Sequence, residues 1–169
     1  MWGSLITGAT SIKNINMPER VQNKIVRNLC NVKYNSHTSK LYFGHNILKV
    51  TDIIKYNQLL FAHKQRIGTL PPIFNNLIKF SYESGDRQNR DTVFNYHIPK
   101  TNINCKQRFP LVEAIKTWNT EPIWAKFIWD TVEFKKETKS SFVYKYKDIV
   151  CSKRNCYSCK ITNESLALY

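Results

Sequence analysis

Three cysteines near the end of the chain form its clearest pattern of metal-binding residue types. Cys151, Cys156 and Cys159 follow the spacing C-x4-C-x2-C among basic residues. Thiolates are preferred zinc ligands, and two cysteines separated by two residues can bind one ion from a tight turn. A closed tetrahedral site needs a fourth ligand, which Cys30, Cys105, a remote histidine or a second chain would have to supply. The simpler expectation is a basic tail with reduced thiols and no cofactor.

Other reactive residue types do not form a catalytic pattern. His37 lies beside Thr38, but no nearby carboxylate orients it as a base and no Gly-rich turn follows, which favours a capping or packing role. Glu83, Asp86 and Asp91 are the residue types of a two-metal nuclease, yet no predicted strand holds them rigidly. The chain also has no adjacent pair of aspartates. We therefore expect no catalytic residue and no enzyme activity.

The composition favours an anionic partner. The 169 residues include 26 basic and 12 acidic side chains, a formal charge of +14. Such an excess favours nucleic acid, because each phosphate that is neutralised releases condensed counterions. The alternative is a merely solvated basic surface. No apolar run approaches the roughly 20 residues of a membrane span, and the N-terminus lacks a signal-peptide pattern, so we expect a nuclear or cytoplasmic protein without a membrane partner.

The first half of the chain predicts helices. Asn16 can cap a helix with Pro18 in its first turn, and an apolar residue then recurs about every fourth position on one face. That row consists of Met17, Val21, Ile25, Leu29 and Val32. A short helical turn should follow Ser36 and Thr38 as caps and end at Gly44.

A longer helix should begin at Thr51 and end at Gly68. Pro71 and Pro72 cannot continue that helix, but they can open the next one. Residues 81–106 are polar and lack a sustained period, which indicates a long irregular connector.

Order returns at Pro110, which suits the first position of a helix, and a second short helix should follow Pro122. Trp118, Trp124 and Trp129 are expected in the core, because an indole ring buries a large apolar area. Residues 135–150 fit either a strand or a helix capped at Ser140 or Ser141.

The sequence thus predicts a mainly α fold of about five or six helices. The predicted parts are a helical region over residues 1–80, the connector at 81–106, and a C-terminal helical extension at 107–150 that packs on the first region. The basic cysteine-rich tail occupies residues 151–169.

The order of several short motifs resembles a known family. They are W-G-S at Trp2, V-Q-N-K-I-V-R at Val21, S-H-T-x-x-L-Y at Ser36, I-L-K-V-x-D-I at Ile47, L-L-F-A-x-K at Leu59, L-P-P-I-F-N-N at Leu70 and I-K-T-W-N at Ile115. Together they are similar to the segment behind the polymerase palm in reverse transcriptases of non-LTR (LINE-type) retrotransposons. Glu121 departs from this pattern, because the family usually has an apolar residue before the proline.

The resemblance implies a thumb and post-thumb region that grips nucleic acid, without the palm or endonuclease. It also favours a helix over residues 135–150. The expected phosphate contacts are Arg20, Lys24, Arg27, Lys33, Lys49, Lys55, Lys64 and Arg66. The leading hypothesis is a non-catalytic module that binds RNA or an RNA–DNA hybrid. The alternative is a structural subunit recruited into a larger ribonucleoprotein or protein assembly.

Overall fold

A computed structural model describes residues 12–84, 94–98 and 110–149 of the chain. Seven α-helices lie within these ranges, so the expected mainly α fold is confirmed. They are α1 (Ile12–Leu29), α2 (Ser39–Gly44), α3 (Val50–Arg66), α4 (Ile73–Leu77), α5 (Pro110–Thr120), α6 (Ile123–Phe127) and α7 (Thr131–Tyr144), with a 3-10 helix at Ser81–Ser84. β pairing in the described ranges is limited to an isolated antiparallel bridge between Phe80 and Tyr96. None of the helices described here has the length and apolarity needed to cross a bilayer.

The chain divides into two compact units, and each combines an early and a late segment. Unit 1 comprises Met1–Ser11 and Ile53–Thr138, and unit 2 comprises Ile12–Asp52 and Lys139–Tyr169. The cysteines Cys105, Cys151, Cys156 and Cys159 and the acidic residues Asp86 and Asp91 lie outside the described residues. The possible zinc site of the tail therefore stays a prediction.

Helix α1 of unit 2 differs from its prediction in both its start and its orientation. It begins at Ile12, four residues before the predicted cap Asn16, and it includes Pro18 within its length. Val26 is its buried apolar side chain, at 4% exposure, whereas the predicted apolar row is largely exposed. Hydrogen bonds from polar side chains account for this orientation.

Gln22 of α1 joins this helix to the start of α3. Its side-chain nitrogen donates to the Leu48 carbonyl oxygen at 2.8 Å, and its oxygen accepts from the Val50 amide at 2.9 Å. Helix N-termini leave amides without partners, and the Gln22 oxygen supplies an acceptor for one of them, the Val50 amide. Helix α3 begins one residue earlier than expected, at Val50.

The predicted ends of α2, α3 and α4 lie close to the observed ones, but the residues expected to cap them do so only in part. Thr38 precedes α2 as expected, yet its side chain makes no capping hydrogen bond. Asn46, rather than Gly44, adopts the positive φ after α2, at 53°. Gly68 lies two residues after the end of α3 at Arg66 and has a φ of +70°, a region that glycine enters without a Cβ penalty. Pro72 precedes α4, as predicted.

The core of unit 1 is built from aromatic rings. The His63 ring of α3 stacks on Phe134 of α7, with centroids 4.1 Å apart and planes 15° apart. Trp118 of α5 is fully buried, and its ring centroid lies 6.0 Å from that of Phe134. Offset and tilted aromatic pairs add stabilisation to the area that they bury. Trp118 therefore occupies the core, as predicted.

Residues 94–98 of the predicted irregular connector are tied into this core. The Tyr96 hydroxyl donates to the Ala62 carbonyl oxygen at 2.9 Å, and its ring is buried. Asn119 pairs with the Tyr96 backbone in both directions, at 2.8 and 2.9 Å, in the manner of a neighbouring strand. The Trp118 indole nitrogen donates to the Phe94 carbonyl oxygen at 2.8 Å. Trp118 and Asn119 of the I-K-T-W-N motif thus bind residues 94–98 of the connector.

The other two tryptophans of this region were wrongly expected in the core. Trp124 is 50% exposed and Trp129 is 63% exposed. Helix α6 ends at Phe127, and the next helix begins only at Thr131, where the Asp130 carboxylate accepts from the Glu133 amide at 2.8 Å. Ile128 is extended, and residues 128–130 are not helical, which interrupts the helical period on which the prediction relied. Of the two possibilities for residues 135–150, the helix is found, but α7 begins at Thr131 and ends at Tyr144. Ser140 and Ser141 therefore lie inside the helix and do not cap it, so the predicted cap is wrong.

Candidate nucleic-acid interface

The described residues of the two units differ in charge. Those of unit 2 include ten basic and three acidic side chains, whereas those of unit 1 include eight basic and six acidic ones. The net charge of the described residues is therefore +7 in unit 2 and +2 in unit 1. Within the described part of the chain, the excess of positive charge that could attract a polyanion lies mainly in unit 2, because the field of a surface follows its local excess of charge.

Helix α1 carries a basic ridge, which we define as Arg20, Lys24 and Arg27. Residues three and four apart lie on one side of a helix, so this ridge spans about 10 Å of helix length. Arg20 and Lys24 are exposed. Arg27 is half-buried, and its Nε donates to the Ser36 carbonyl oxygen at 2.9 Å. Two of the three cations are thus presented to solvent, and the third supports the loop after the helix.

Lys49 is held by aromatic rings of unit 2. Its Nζ lies 4.9 Å from the Tyr146 ring centroid and 5.8 Å from that of Tyr42, and it donates to Ser39 Oγ at 3.1 Å. A cation over a ring face is attracted by the ring quadrupole. Lys49 therefore has partners within its own unit. Lys33 is exposed.

The remaining three predicted contacts belong to unit 1. Lys55 is exposed and Lys64 is half-buried, both on α3. Arg66 is only 9% exposed, and its guanidinium carbon lies 4.7 Å from the Phe94 ring centroid and 4.4 Å from that of Trp129. Burial lowers the pKa of this arginine. Arg66 is enclosed between two rings and offers little of its charge to a phosphate.

Tyr42 and Tyr146 of unit 2 form a hydrogen-bonded cluster with their neighbours, which sequence reasoning missed. The Tyr42 hydroxyl donates to Asn23 Oδ1 at 3.0 Å, and burial, followed by the nearby Glu19 charge, raises the pKa of Tyr42 to about 12. The Tyr146 hydroxyl accepts from the Lys49 amide at 3.1 Å and donates to the Asp52 carboxylate. Burial and this bond to Asp52 raise the pKa of Tyr146. Both hydroxyls therefore stay protonated near neutral pH and act as structural donors.

One further contact brings together residue types that can do chemistry. Cys30 Sγ lies 3.2 Å from His45 Nε2 in unit 2. Among the described residues, no group of three or more histidine, cysteine, aspartate or glutamate side chains is arranged to hold a metal ion. The sequence did not predict this pair, because Cys30 and His45 are 15 positions apart.

Comparison with known proteins adds no relative. No protein-family model, no curated protein and no solved structure matches the chain.

Proposed function

We propose that this chain is a non-catalytic module that binds RNA or an RNA–DNA hybrid through phosphate contacts. The observation that carries the proposal is the concentration of positive charge in unit 2, with Arg20 and Lys24 exposed one turn apart on α1. Such side chains position a protein on a nucleic-acid backbone without reading its sequence. The similarity of V-Q-N-K-I-V-R to a thumb helix of LINE-type reverse transcriptases supports the same surface.

The exposed side of α1 suits a polyanion. Glu19 is the only acidic residue of this helix. It lies about 100° around the helix from Arg20, on the side of Tyr42, whose pKa its charge raises. A phosphate that approaches Arg20 and Lys24 therefore meets no carboxylate of α1 on that side.

Binding should be measured as a function of salt on an RNA–DNA hybrid, duplex DNA and single-stranded RNA of one sequence. For the Arg20→Ala/Lys24→Ala double variant we expect weaker binding and a slope of log K against log salt that is shallower by about two, one for each lost phosphate contact. Lys135→Ala/Lys136→Ala is the matched control, because it removes two exposed cations from α7 within unit 1.

Two results would contradict this assignment. Binding that does not change with salt would exclude phosphate contacts as its source. Equal losses in the two double variants would show that total charge, and not the α1 surface, determines the affinity.

The second candidate function is that of a structural subunit in a larger ribonucleoprotein or protein assembly. It is favoured by the exposed aromatic side chains of unit 1, Trp124, Phe127 and Trp129. Exposed large apolar side chains commonly mark contact surfaces for proteins. A chain that purifies as a soluble, folded monomer would favour the self-sufficient module, whereas one that needs a partner to remain soluble would favour the subunit.

A further inference from the structure

Helix α1 presents an apolar row to solvent. The row consists of Met17, Val21, Ile25 and Leu29, which are 72%, 51%, 50% and 76% exposed. Consecutive members are four residues apart, so they form a continuous ridge about 18 Å long. Ridges with this spacing are the surfaces that interdigitate when two α-helices pack against each other.

The opposite side of α1 is already occupied within unit 2. Gln22 bonds Leu48 and Val50, Asn23 accepts from Tyr42, and Val26 is buried. Val26 lies about 140° around the helix from Val21. The helix is therefore anchored by its polar side, and turning the apolar row inward would break these hydrogen bonds.

Positive charge borders one edge of the apolar row. Lys24 and Arg20 lie about 60° and 100° from Val21 around the helix, on the same side. Both are exposed. Glu19, the only acidic residue of α1, lies about 160° from Val21, on the occupied side. A complementary surface must therefore combine apolar side chains with acidic ones along one edge.

We propose that the apolar row and the adjoining cations form a docking site for an acidic amphipathic helix of a partner protein. Apolar side chains of the partner helix cover Val21 and Ile25, and its carboxylates pair with Arg20 and Lys24. The partner helix and a phosphate backbone would share Arg20 and Lys24, but only the helix would bury the apolar row, because phosphate contacts are made by charged and polar groups.

Charge argues against a second copy of the chain as the occupant. Two α1 helices packed face to face in an antiparallel, two-fold arrangement would place the Lys24 edges of both copies on the same side. The described part of unit 2 carries a net charge of +7, so self-association would bring like charges together. An acidic partner removes this repulsion and gains electrostatic attraction on approach.

The test uses the full chain and a fluorescein-labelled helical peptide with leucine at every fourth position and glutamates along one edge. Three peptides serve as controls: the same sequence with lysine in place of glutamate, a scrambled acidic peptide of equal composition, and an unlabelled competitor. We expect saturable binding, measured by fluorescence anisotropy, for the acidic amphipathic peptide alone.

The Val21→Ser/Ile25→Ser variant should bind this peptide about tenfold more weakly, because burying the exposed half of each aliphatic side chain is worth about a factor of three. Val132→Ser, at a 72% exposed valine of unit 1, is the matched control and should leave the affinity unchanged. Far-UV circular dichroism checks that each variant is folded. If Val21→Ser/Ile25→Ser does not fold, Met17→Ser/Leu29→Ser tests the two most exposed positions of the row.

Several outcomes would overturn the proposal. Equal binding of the scrambled peptide would mean attraction by charge alone, and equal binding of the lysine peptide would remove the need for an acidic partner. A concentration-dependent dimer that Val21→Ser/Ile25→Ser abolishes would identify a second copy as the occupant. Binding to vesicles of phosphatidylcholine and phosphatidylserine, without peptide binding and lost in the same variant, would identify a membrane surface.

The variants also separate this inference from the proposed function. Val21→Ser/Ile25→Ser keeps every cation, so nucleic-acid binding and its salt dependence should not change. Loss of peptide binding with intact nucleic-acid binding supports the docking site, whereas a chain that binds the peptide but no nucleic acid would refute the proposed function alone.

Discussion

The two units bury different chemistry and leave different chemistry outside. Unit 1 encloses aromatic rings and two cations, Arg66 and Lys126, and its described residues carry a net charge of +2. Unit 2 buries the hydrogen-bonded tyrosines Tyr42 and Tyr146 and exposes five of its described cations, and its described residues carry a net charge of +7. Among the described residues, unit 2 therefore combines the larger net charge with the exposed apolar row of α1, whereas unit 1 encloses two of its cations and exposes aromatic side chains such as Trp124 and Trp129.

The buried cations of unit 1 illustrate this contrast. Lys126 Nζ donates to Asn95 Oδ1 at 2.8 Å and to the Asn119 carbonyl oxygen at 3.2 Å, and burial lowers its pKa. Removing a charge from water is costly unless it gains compensating contacts. Oxygen ligands supply them for Lys126, and ring faces do so for Arg66. Lys126 and Arg66 therefore contact groups inside unit 1, whereas Arg20 and Lys24 of unit 2 are exposed.

The largest expected effect tests the aromatic core of unit 1. Trp118→Ala should lower the free energy of unfolding by about 4 kcal/mol, because it removes a fully buried indole and its bond to the Phe94 carbonyl oxygen. Trp124→Ala, at a half-exposed position, should cost about 1 kcal/mol or less. Urea denaturation of both variants measures the difference. Similar losses would show that the two tryptophans are equally buried in solution.

His63 should make the core of unit 1 sensitive to acid. Its Nε2–H donates to the Ile128 carbonyl oxygen at 3.0 Å, and its buried Nδ1 has no hydrogen-bond partner among the described residues. Burial lowers the pKa of His63, the charge of Arg66 lowers it further, and the Ile128 bond and Asp130 act in the opposite direction. Protonation of Nδ1 would create a buried donor without an acceptor, which is costly.

The sign of the pH effect follows from this lowered pKa. In the unfolded chain His63 takes up a proton near pH 6.5, whereas in the folded chain it does so only at lower pH. The contribution of neutral His63 to the free energy of unfolding is therefore fully present above about pH 6.5 and decreases as the pH falls below that value. At pH 5 the loss is at most about 2 kcal/mol, since one pH unit corresponds to 1.36 kcal/mol. Urea titrations at pH 7 and pH 5 measure it. His63→Phe should show a smaller difference between the two pH values, and an unchanged difference would assign the acid sensitivity to other groups.

The sequence predicted the helices of this chain better than the faces that they bury. Pro110 and Pro72 mark helix starts and Gly68 marks a helix end because their backbone restrictions act locally. Helical periodicity also identified the apolar row of α1, yet this row faces solvent. Periodicity identifies two sides of a helix, but Gln22 and Asn23 decide which side faces the unit, and their partners are distant in sequence.

For the candidate interface, too, the sequence did not predict which side chains are buried. Arg20 and Lys24 are exposed, as a phosphate contact requires, whereas the equally basic Arg66 is enclosed by Phe94 and Trp129. Nothing in the residue type distinguishes these arginines. An exposed cation differs from a buried one only in its packing against residues that are some 30 to 60 positions away in the sequence, and such packing is a property of the tertiary structure.

A pair of valines on α1 tests the orientation of this helix directly. Val26→Ala should lower the free energy of unfolding by about 2 kcal/mol, from two lost buried carbon groups and the space they leave. Val21→Ala, on the exposed side, should be neutral or stabilising by about 0.5 kcal/mol, because alanine has the higher helix propensity. Thermal and urea unfolding compare the two. The reverse order of effects would place the apolar row in the core.

The smallest expected effect concerns the tyrosine cluster of unit 2. Tyr42→Phe should cost about 1 kcal/mol, because it removes the donor to Asn23 Oδ1 while the ring remains buried. Tyr34→Phe, at an 89% exposed ring, is the matched control and should change stability by less than about 0.5 kcal/mol. Spectrophotometric titration adds a second readout, since the pKa of Tyr42 is raised to about 12 and the variant should lose one late-ionising phenol. If Tyr42→Phe is as neutral as Tyr34→Phe, hydrogen bonds do not anchor α1, and the contrast between an aromatic unit 1 and a hydrogen-bonded unit 2 fails.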